Sequence, residues 1–532
     1  MTTATNSRHD LASGRRMNWQ WTVARPWQTN AALLLIGMGL FFLTRQLVSE
    51  YSHFTIGFSG VSGWSCILYL SAAFLVLTQP VDRFTFPIIL AVAIACRLAD
   101  LLAEPYLSSD IYRYVWDGVV QHAHISPYRY VPGDPVLAFL RAPYQHIFDN
   151  INRRDYAHTI YPPAAQALFY LVTWVSPTVT FMKTVMILFE GVTMYALVTL
   201  LGYLGIRREQ AFLYAWCPLL IWEIAGSGHL DSAAMAFIAL ALLARYRKQT
   251  VLTGLFLAVA ILLKFYPLVL LPALLLPRHP SPTPKSKPVR RPTLLQMTTG
   301  VLRGVDWKMP LTCFAIIAIG YAAYSSAGKL VFGFLGGYVE EEGMATGTRY
   351  FLLEAVHKFP GLRNLPPTVF LSFSALVFFL LTLWCLLNAV VSPSAMSREE
   401  FNKLLEGKGY PPSDPPIRDR NSERPNPLPV FLPNAFALAT ALMLLFSPHY
   451  AWYIIWLVPF FSLMPNLPIL TYLLGFFYLY TTALAEPGPK MFLANEILYA
   501  AVFAAFLAQL AFKRWPFHRT FFVQPSSSSE LL

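Results

Sequence analysis

Two charged residues draw notice by their places in the chain: Asp110, behind a long apolar run, and Lys264, between two others. A carboxylate at the point where a chain leaves a membrane can take the proton of a hydroxyl bound at the surface, close to lipid-embedded substrate. The same Asp110, preceded by Ser108 and Ser109, could instead only cap a helix. An intramembrane cation is costly unless paired or functional, and a phosphate-bearing lipid headgroup is a natural partner for Lys264; snorkelling to the interface is the other reading. Asp117 lies seven residues beyond Asp110, near the same helical face, as a second acid or as a C-terminal partner to Gly118. His229 and Asp231 fall where another apolar run restarts, and Asp231 suits function and helix capping equally.

Asp110 belongs to residues 104–163, the longest polar interruption in the first half of the chain. The stretch also holds Asp134, Asp149, Asp155, four histidines, and recurrent Tyr and Pro, among them Tyr112, Tyr114, Pro127, Tyr128, Tyr161 and Pro162. Loops of this length are functional or disordered, and the aromatic content argues against disorder. We read it as the active-site loop of a membrane enzyme. Its histidines lack the spacing of a zinc site, so no metal or other cofactor is expected; a divalent cation has no support in the sequence. Arg113 and Arg129 suit phosphate or membrane-surface anchoring equally. Later, Glu340, Glu341 and Glu342 form a charge run of the kind that usually faces solvent. Arg349 and Tyr350 would suit sugar or phosphate contacts, and His449-Tyr450-Ala451-Trp452-Tyr453 is an aromatic cluster that membrane proteins also use as an interfacial belt.

The elements that must position these residues follow from composition. The chain is 56% hydrophobic and 13% charged, against about 25% charged in soluble proteins. Its apolar runs are too long and continuous for barrel strands, so the class is all-α: a polytopic membrane bundle of about 12–14 spans with a large first extracytoplasmic loop. The net charge of +12 calls for no nucleic-acid partner, because 26 of the 40 Lys and Arg fall in segments assigned to the cytoplasm. The five cysteines all sit in apolar segments without CxxC spacing and read as small buried hydrophobes.

The organisation read from this pattern is a cytoplasmic tail at 1–27, a transmembrane domain at 28–513 and a cytoplasmic tail at 514–532. Within the domain, 104–163 and 327–366 are outer loops, and 278–308 and 392–429 are cytoplasmic, Pro-rich and polar. Spans fall near 28–48, 62–79, 84–103, 180–204, 210–225, 231–246, 309–326, 367–391, 431–447, 450–464, 467–484 and 491–513, with shorter apolar helices near 164–174, 250–263 and 265–277. The protein is placed in the cell membrane with both termini inside and the acidic loop, Lys264 and the aromatic cluster together outside.

In order, Ser109-Asp110-Ile111-Tyr112, Trp116-Asp117-Gly118, Ser126-Pro127-Tyr128, Tyr161-Pro162-Pro163, Gly228-His229-Leu230-Asp231, Lys264-Phe265-Tyr266-Pro267 and Ser447-Pro448 with Trp452-Tyr453 resemble the GT-C class of membrane glycosyltransferases. The nearest likeness is to bacterial polyprenyl-phosphate-mannose-dependent α-mannosyltransferases, and a more distant one is to the first mannosyltransferase of the GPI-anchor pathway. The resemblance spans about 84–465. It implies inverting transfer of a hexose, mannose foremost, from a polyprenyl-phosphate sugar to a glycan or glycolipid acceptor on the outer face. It implies Asp110 as the general base or as the residue that orients the acceptor hydroxyl; Lys264, assisted by Arg349 or His229, on the donor phosphate; and Tyr112, Trp116, Asp117, Tyr128, Tyr161, Asp231 and His449 on sugar or acceptor. Ser108 stands where many relatives carry a second acid, and Ser126 where a Gly or Asn is usual before the proline. The competing reading is a lipid or sugar transporter or flippase with a large outer loop, which would show internal repeats with paired broken helices; only one broken pair, around Lys264, is visible.

Overall fold

Proline sets many of the boundaries in this chain. Pro26–Glu50, Pro163–Val175, Pro367–Val391 and Pro489–Ala511 each begin on one, the position where a missing N–H costs a helix nothing. The computed structural model describes residues 25–50, 56–275, 304–341, 343–344, 346–347, 350–391, 428–446, 450–476, 479 and 489–511. Among these residues every regular element is helical, as lipid demands of a backbone that must satisfy its own hydrogen bonds. Most of both tails and of the two Pro-rich cytoplasmic linkers expected from sequence lies outside the described residues, as do Arg349 and His449.

Helices occupy the expected positions closely: Val179–Tyr203, Asp231–Tyr246, Lys308–Ala323 and Pro367–Val391 are examples. Among the described residues, five helices are long and apolar enough to cross a membrane alone; a sixth candidate is the pair Lys308–Ala323 and Ser325–Glu341, bent by 110°. Several other expected spans are chains of short helices. Around 210–225, Arg208–Ala211, Phe212–Ala215 and Pro218–Leu220 lead into a π-helical turn, Ile221–Gly226. Pro218 holds Cys217 out of helical conformation at ψ 114° and so breaks the run. Pro267, Pro272 and Pro459 lie in the similarly short elements Tyr266–Leu270, Leu271–Leu274 and Val458–Leu463.

Asp231–Tyr246 packs between Val179–Tyr203 and Thr250–Leu263, and Thr250–Leu263 packs in turn on Lys308–Ala323. Large apolar side chains such as Leu35, Phe42, Trp174 and Phe379 stay exposed, the side-chain chemistry of a lipid-facing surface. A buried pair ties the interior together. Arg97 Nη2 meets Glu190 Oε1 at 2.8 Å, and Arg97 Nη1 donates to the Ala215 carbonyl at 2.6 Å. Three separate segments are joined by one guanidinium, whose planar fork suits such buried contacts.

Residues 104–163 are built around the helix Asp110–His122, in which Ile111 through Val120 are all buried. Pro163–Val175 packs against it at close range. Gly118 makes this possible: a Cβ there would stand 2.3 Å from Thr173 Oγ1 and 2.5 Å from the Phe169 carbonyl. Ahead of Asp110, Lys183 donates to the Asp100 and Ala103 carbonyls at 2.9 and 2.7 Å, fixing the C-terminal end of Thr85–Leu101 where the chain turns into the loop.

Candidate active site

Asp110 is the first residue of its helix, with Ser109 at the cap position and making no side-chain cap bond. The Asp110 backbone N–H donates to Ser108 Oγ at 3.2 Å, and Asn152 Nδ2 donates to Asp110 Oδ1 at 3.0 Å and Ser109 Oγ at 3.1 Å. The carboxylate is thus oriented from one side, and Oδ2 has no partner among the described residues. A carboxylate held in this way, half-buried at the wall of a cavity, has the geometry of a general base.

The cavity has a volume of about 640 Å³, within the range of small-molecule sites. Asp110, Arg113, Asn152, Arg153, His158 and Lys264 give its lining polar and charged groups. Leu335, Met344, Leu442, Met443 and Phe446 form an apolar stretch of the same wall, and Tyr161, Tyr266, Tyr338, Tyr450, Trp452 and Tyr453 supply aromatic surface. Charged and greasy walls in one cavity suit an amphipathic ligand.

Lys264 ends Thr250–Leu263 in extended conformation, at φ −148° and ψ 146°, which turns its side chain out of the helix line. Its ammonium meets Asp231 Oδ2 at 2.6 Å and lies 5.5 Å from the centre of the Tyr453 ring. Asp231, fully buried at the start of its helix, also accepts from the Tyr266 hydroxyl at 3.3 Å. The residue before this turn must be glycine. Gly228 has φ +74°, and a Cβ there would lie 2.2 Å from Ile111 Cδ1, so the Gly-His-Leu-Asp turn rests directly on the Asp110 helix.

Of the residues singled out from sequence, Asp110, Tyr161 and Lys264 line the cavity together. Asp231 stands immediately behind Lys264. His229 is buried behind Trp452, with ring centres 4.7 Å apart, and its Nε2 lies 3.0 Å from Glu223 Oε2. Asp117 is buried in a bond to Arg113 Nε at 2.8 Å and accepts from Gln166 at 2.9 Å, which leaves Arg113 as the member of the pair that reaches the cavity. Tyr112 donates to Glu104, Tyr128 donates to the Tyr161 carbonyl, and Trp116 packs on Phe148, all three outside the cavity lining. Burial, and after it the Asp110 carboxylate, pushes the phenols of Tyr114 and Tyr161 well above their ordinary range, so both remain protonated donors.

Asn152 and Arg153 line the cavity and Glu223 meets His229, though none of the three stood out in the sequence. Arg153 sits at φ +52°, unusual for a residue with a side chain, in a run of polar loop residues that gives no periodic signal. Glu341 is not simply solvated, as a run of three acids would have it: its Oε2 accepts from Arg153 Nε at 2.7 Å. Among the described residues, no group of three or more His, Cys, Asp or Glu is placed to hold a metal ion.

The described residues thus form an all-helical membrane bundle whose cavity is lined in part by its first long loop. More particularly, residues 23–278 match the family model of the alpha-(1->6)-mannopyranosyltransferase N-terminal domain, the MptA_B family. The match agrees with the resemblance to GT-C mannosyltransferases, covers Asp110, Arg113, Arg153, Asp231 and Lys264, and points to α-mannosyl transfer as the activity. No curated protein and no solved structure matches the chain.

Proposed function

We propose that this protein transfers mannose from a polyprenyl-phosphate donor to a hydroxyl of a glycan or glycolipid acceptor, on the extracytoplasmic side of the membrane. The observation that carries the reading is one cavity holding a carboxylate, a lysine and an apolar wall. Asp110 takes the acceptor proton as the hydroxyl oxygen attacks the anomeric carbon. The bond to the phosphate oxygen breaks on the opposite side, and Lys264 stabilises the charge that gathers there. A lipid phosphate leaves readily and needs no acid. The aromatic wall of Tyr161, Trp452 and Tyr453 offers faces to the sugars, and the apolar stretch from Leu335 to Phe446 takes the first units of the prenyl chain. Inversion to an α product requires a β-linked donor; the family's description favours an α-1,6 linkage. Arg349 and His449 remain candidates for phosphate and acceptor, and His229 acts from behind Trp452.

The test supplies purified protein in lipid nanodiscs with radiolabelled polyprenyl-phosphate mannose or GDP-mannose, together with an envelope lipid extract as acceptor. Label should move from the lipid donor alone. Transfer from GDP-mannose by the purified protein would overturn the donor assignment, and movement of intact lipid across the bilayer of proteoliposomes, without transfer, would favour a flippase.

A further inference from the structure

Each cation on the cavity wall already has a carboxylate beside it. Lys264 is paired with Asp231 at 2.6 Å, Arg113 with Asp117 at 2.8 Å and Arg153 with Glu341 at 2.7 Å. In the first two pairs the acid side chain is 0% and 2% exposed. Moving either acid away would strand a buried charge. The third pair differs. Both its side chains are 32% exposed, so water screens the attraction and the pair contributes little to stability.

Its acid also comes from another part of the chain. Glu341 ends the short helix Leu335–Glu341, where the aligned peptide dipoles disfavour a carboxylate. The helix lies between Gly333 and Gly343, at φ +54° and +64°. It contributes Leu335 and Tyr338 to the cavity wall, and Arg153 lies over the Tyr338 ring. On the other side, Arg153 is the direct neighbour of Asn152, which orients Asp110. Arg153 thus follows, in the chain, the residue that orients Asp110, lines the same cavity and is held by an acid from a distant segment.

We propose that Arg153 is a phosphate-binding residue of the donor site and that Glu341 is its displaceable counter-ion, holding the guanidinium in place until a lipid phosphate replaces it. This deepens the reading of the cavity as a lipid-phosphate site and rests on it. A phosphate offers more charge and more acceptor oxygens than one carboxylate, and it matches the planar fork of arginine. Displaced, Glu341 releases the tie between the two loops, while Tyr338 keeps its hydroxyl contact with Tyr453.

The experiment measures binding of radiolabelled undecaprenyl phosphate to the full chain in nanodiscs, for wild type, Glu341→Gln, Arg153→Gln, the double variant and Lys264→Gln. Removing the competing acid should tighten binding by about threefold, and removing the arginine should weaken it by about tenfold. The double variant should match Arg153→Gln, because the proposed effect of Glu341 on the phosphate passes through that arginine. A misfolded protein does not gain affinity, so the Glu341→Gln result stands on its own. Undecaprenol and excess inorganic phosphate serve as competitors; neither should displace the probe as well as unlabelled undecaprenyl phosphate. Weaker binding in Glu341→Gln would show a merely structural tie and overturn the inference, as would unchanged binding in both single variants while Lys264→Gln loses it. Wild-type protein that does not bind undecaprenyl phosphate would instead overturn the donor reading itself.

Discussion

Lys264 carries its charge in an apolar setting because Asp231, Tyr266 and the Tyr453 ring surround it. The same contacts give it two separable roles. Replacing Lys264 by Gln leaves a buried carboxylate without its cation, a loss of about 3–5 kcal/mol in comparable pairs. Thermal unfolding should therefore fall sharply in Lys264→Gln and recover in Lys264→Gln/Asp231→Asn, while transfer stays low in both. Recovery of transfer together with stability would make the lysine purely structural. Asp110 and Lys264 were legible because a charge in a greasy chain needs a reason. Arg153, Asn152 and Glu341 were not, because their meeting joins residues 188 positions apart in loops whose polar composition looks the same whether or not they touch. Asp117 drew notice for its type, but its role is set by Arg113 and Gln166, partners that only the fold reveals.

At the scale of elements, hydropathy placed most helices, and proline decided which remain whole. The run near 210–225 read as a span, but Pro218 and a π-helical turn divide it. That turn carries Glu223 to within 3.0 Å of His229; π-turns are frequent at functional sites, yet apolar periodicity alone does not distinguish them from ordinary helix. The Gly-His-Leu-Asp turn was legible as a motif, and its packing explains the glycine. Gly228→Ala should lower the unfolding temperature and reduce transfer, since a left-handed residue with a Cβ costs roughly 1–2 kcal/mol and the methyl would push on Ile111, next to Asp110. Gly191→Ala, inside Val179–Tyr203 with no atom within 4 Å of the added Cβ, is the matched control: it should raise the unfolding temperature slightly, by roughly 0.5–1 kcal/mol of stability, and leave transfer unchanged. Equal behaviour of the two variants would remove the turn from the account.

In the whole molecule, the cavity is shared between two parts of the chain. Asp110, Arg113, Arg153 and Lys264 come from the stretch that matches the mannosyltransferase family, whereas Leu335, Tyr338, Met443, Phe446 and Trp452 come from beyond it. The charged chemistry thus lies in the matched domain, and much of the apolar and aromatic wall is brought to it by later helices. The all-α class and the grouping of Asp110 with Lys264 followed from composition and from charges in unusual places; the enclosing wall did not, because apolar residues that line a cavity read like those that face lipid. The central claim is that Asp110 acts as base within this cavity. Its most direct test compares wild type with Asp110→Asn for both undecaprenyl phosphate binding and mannose transfer from the lipid donor. Binding should be retained within about a factor of two, because a neutral amide beside the phosphate site removes no attraction, while transfer falls by about a hundredfold or more. Transfer at the wild-type rate in a variant that still binds donor would contradict the account.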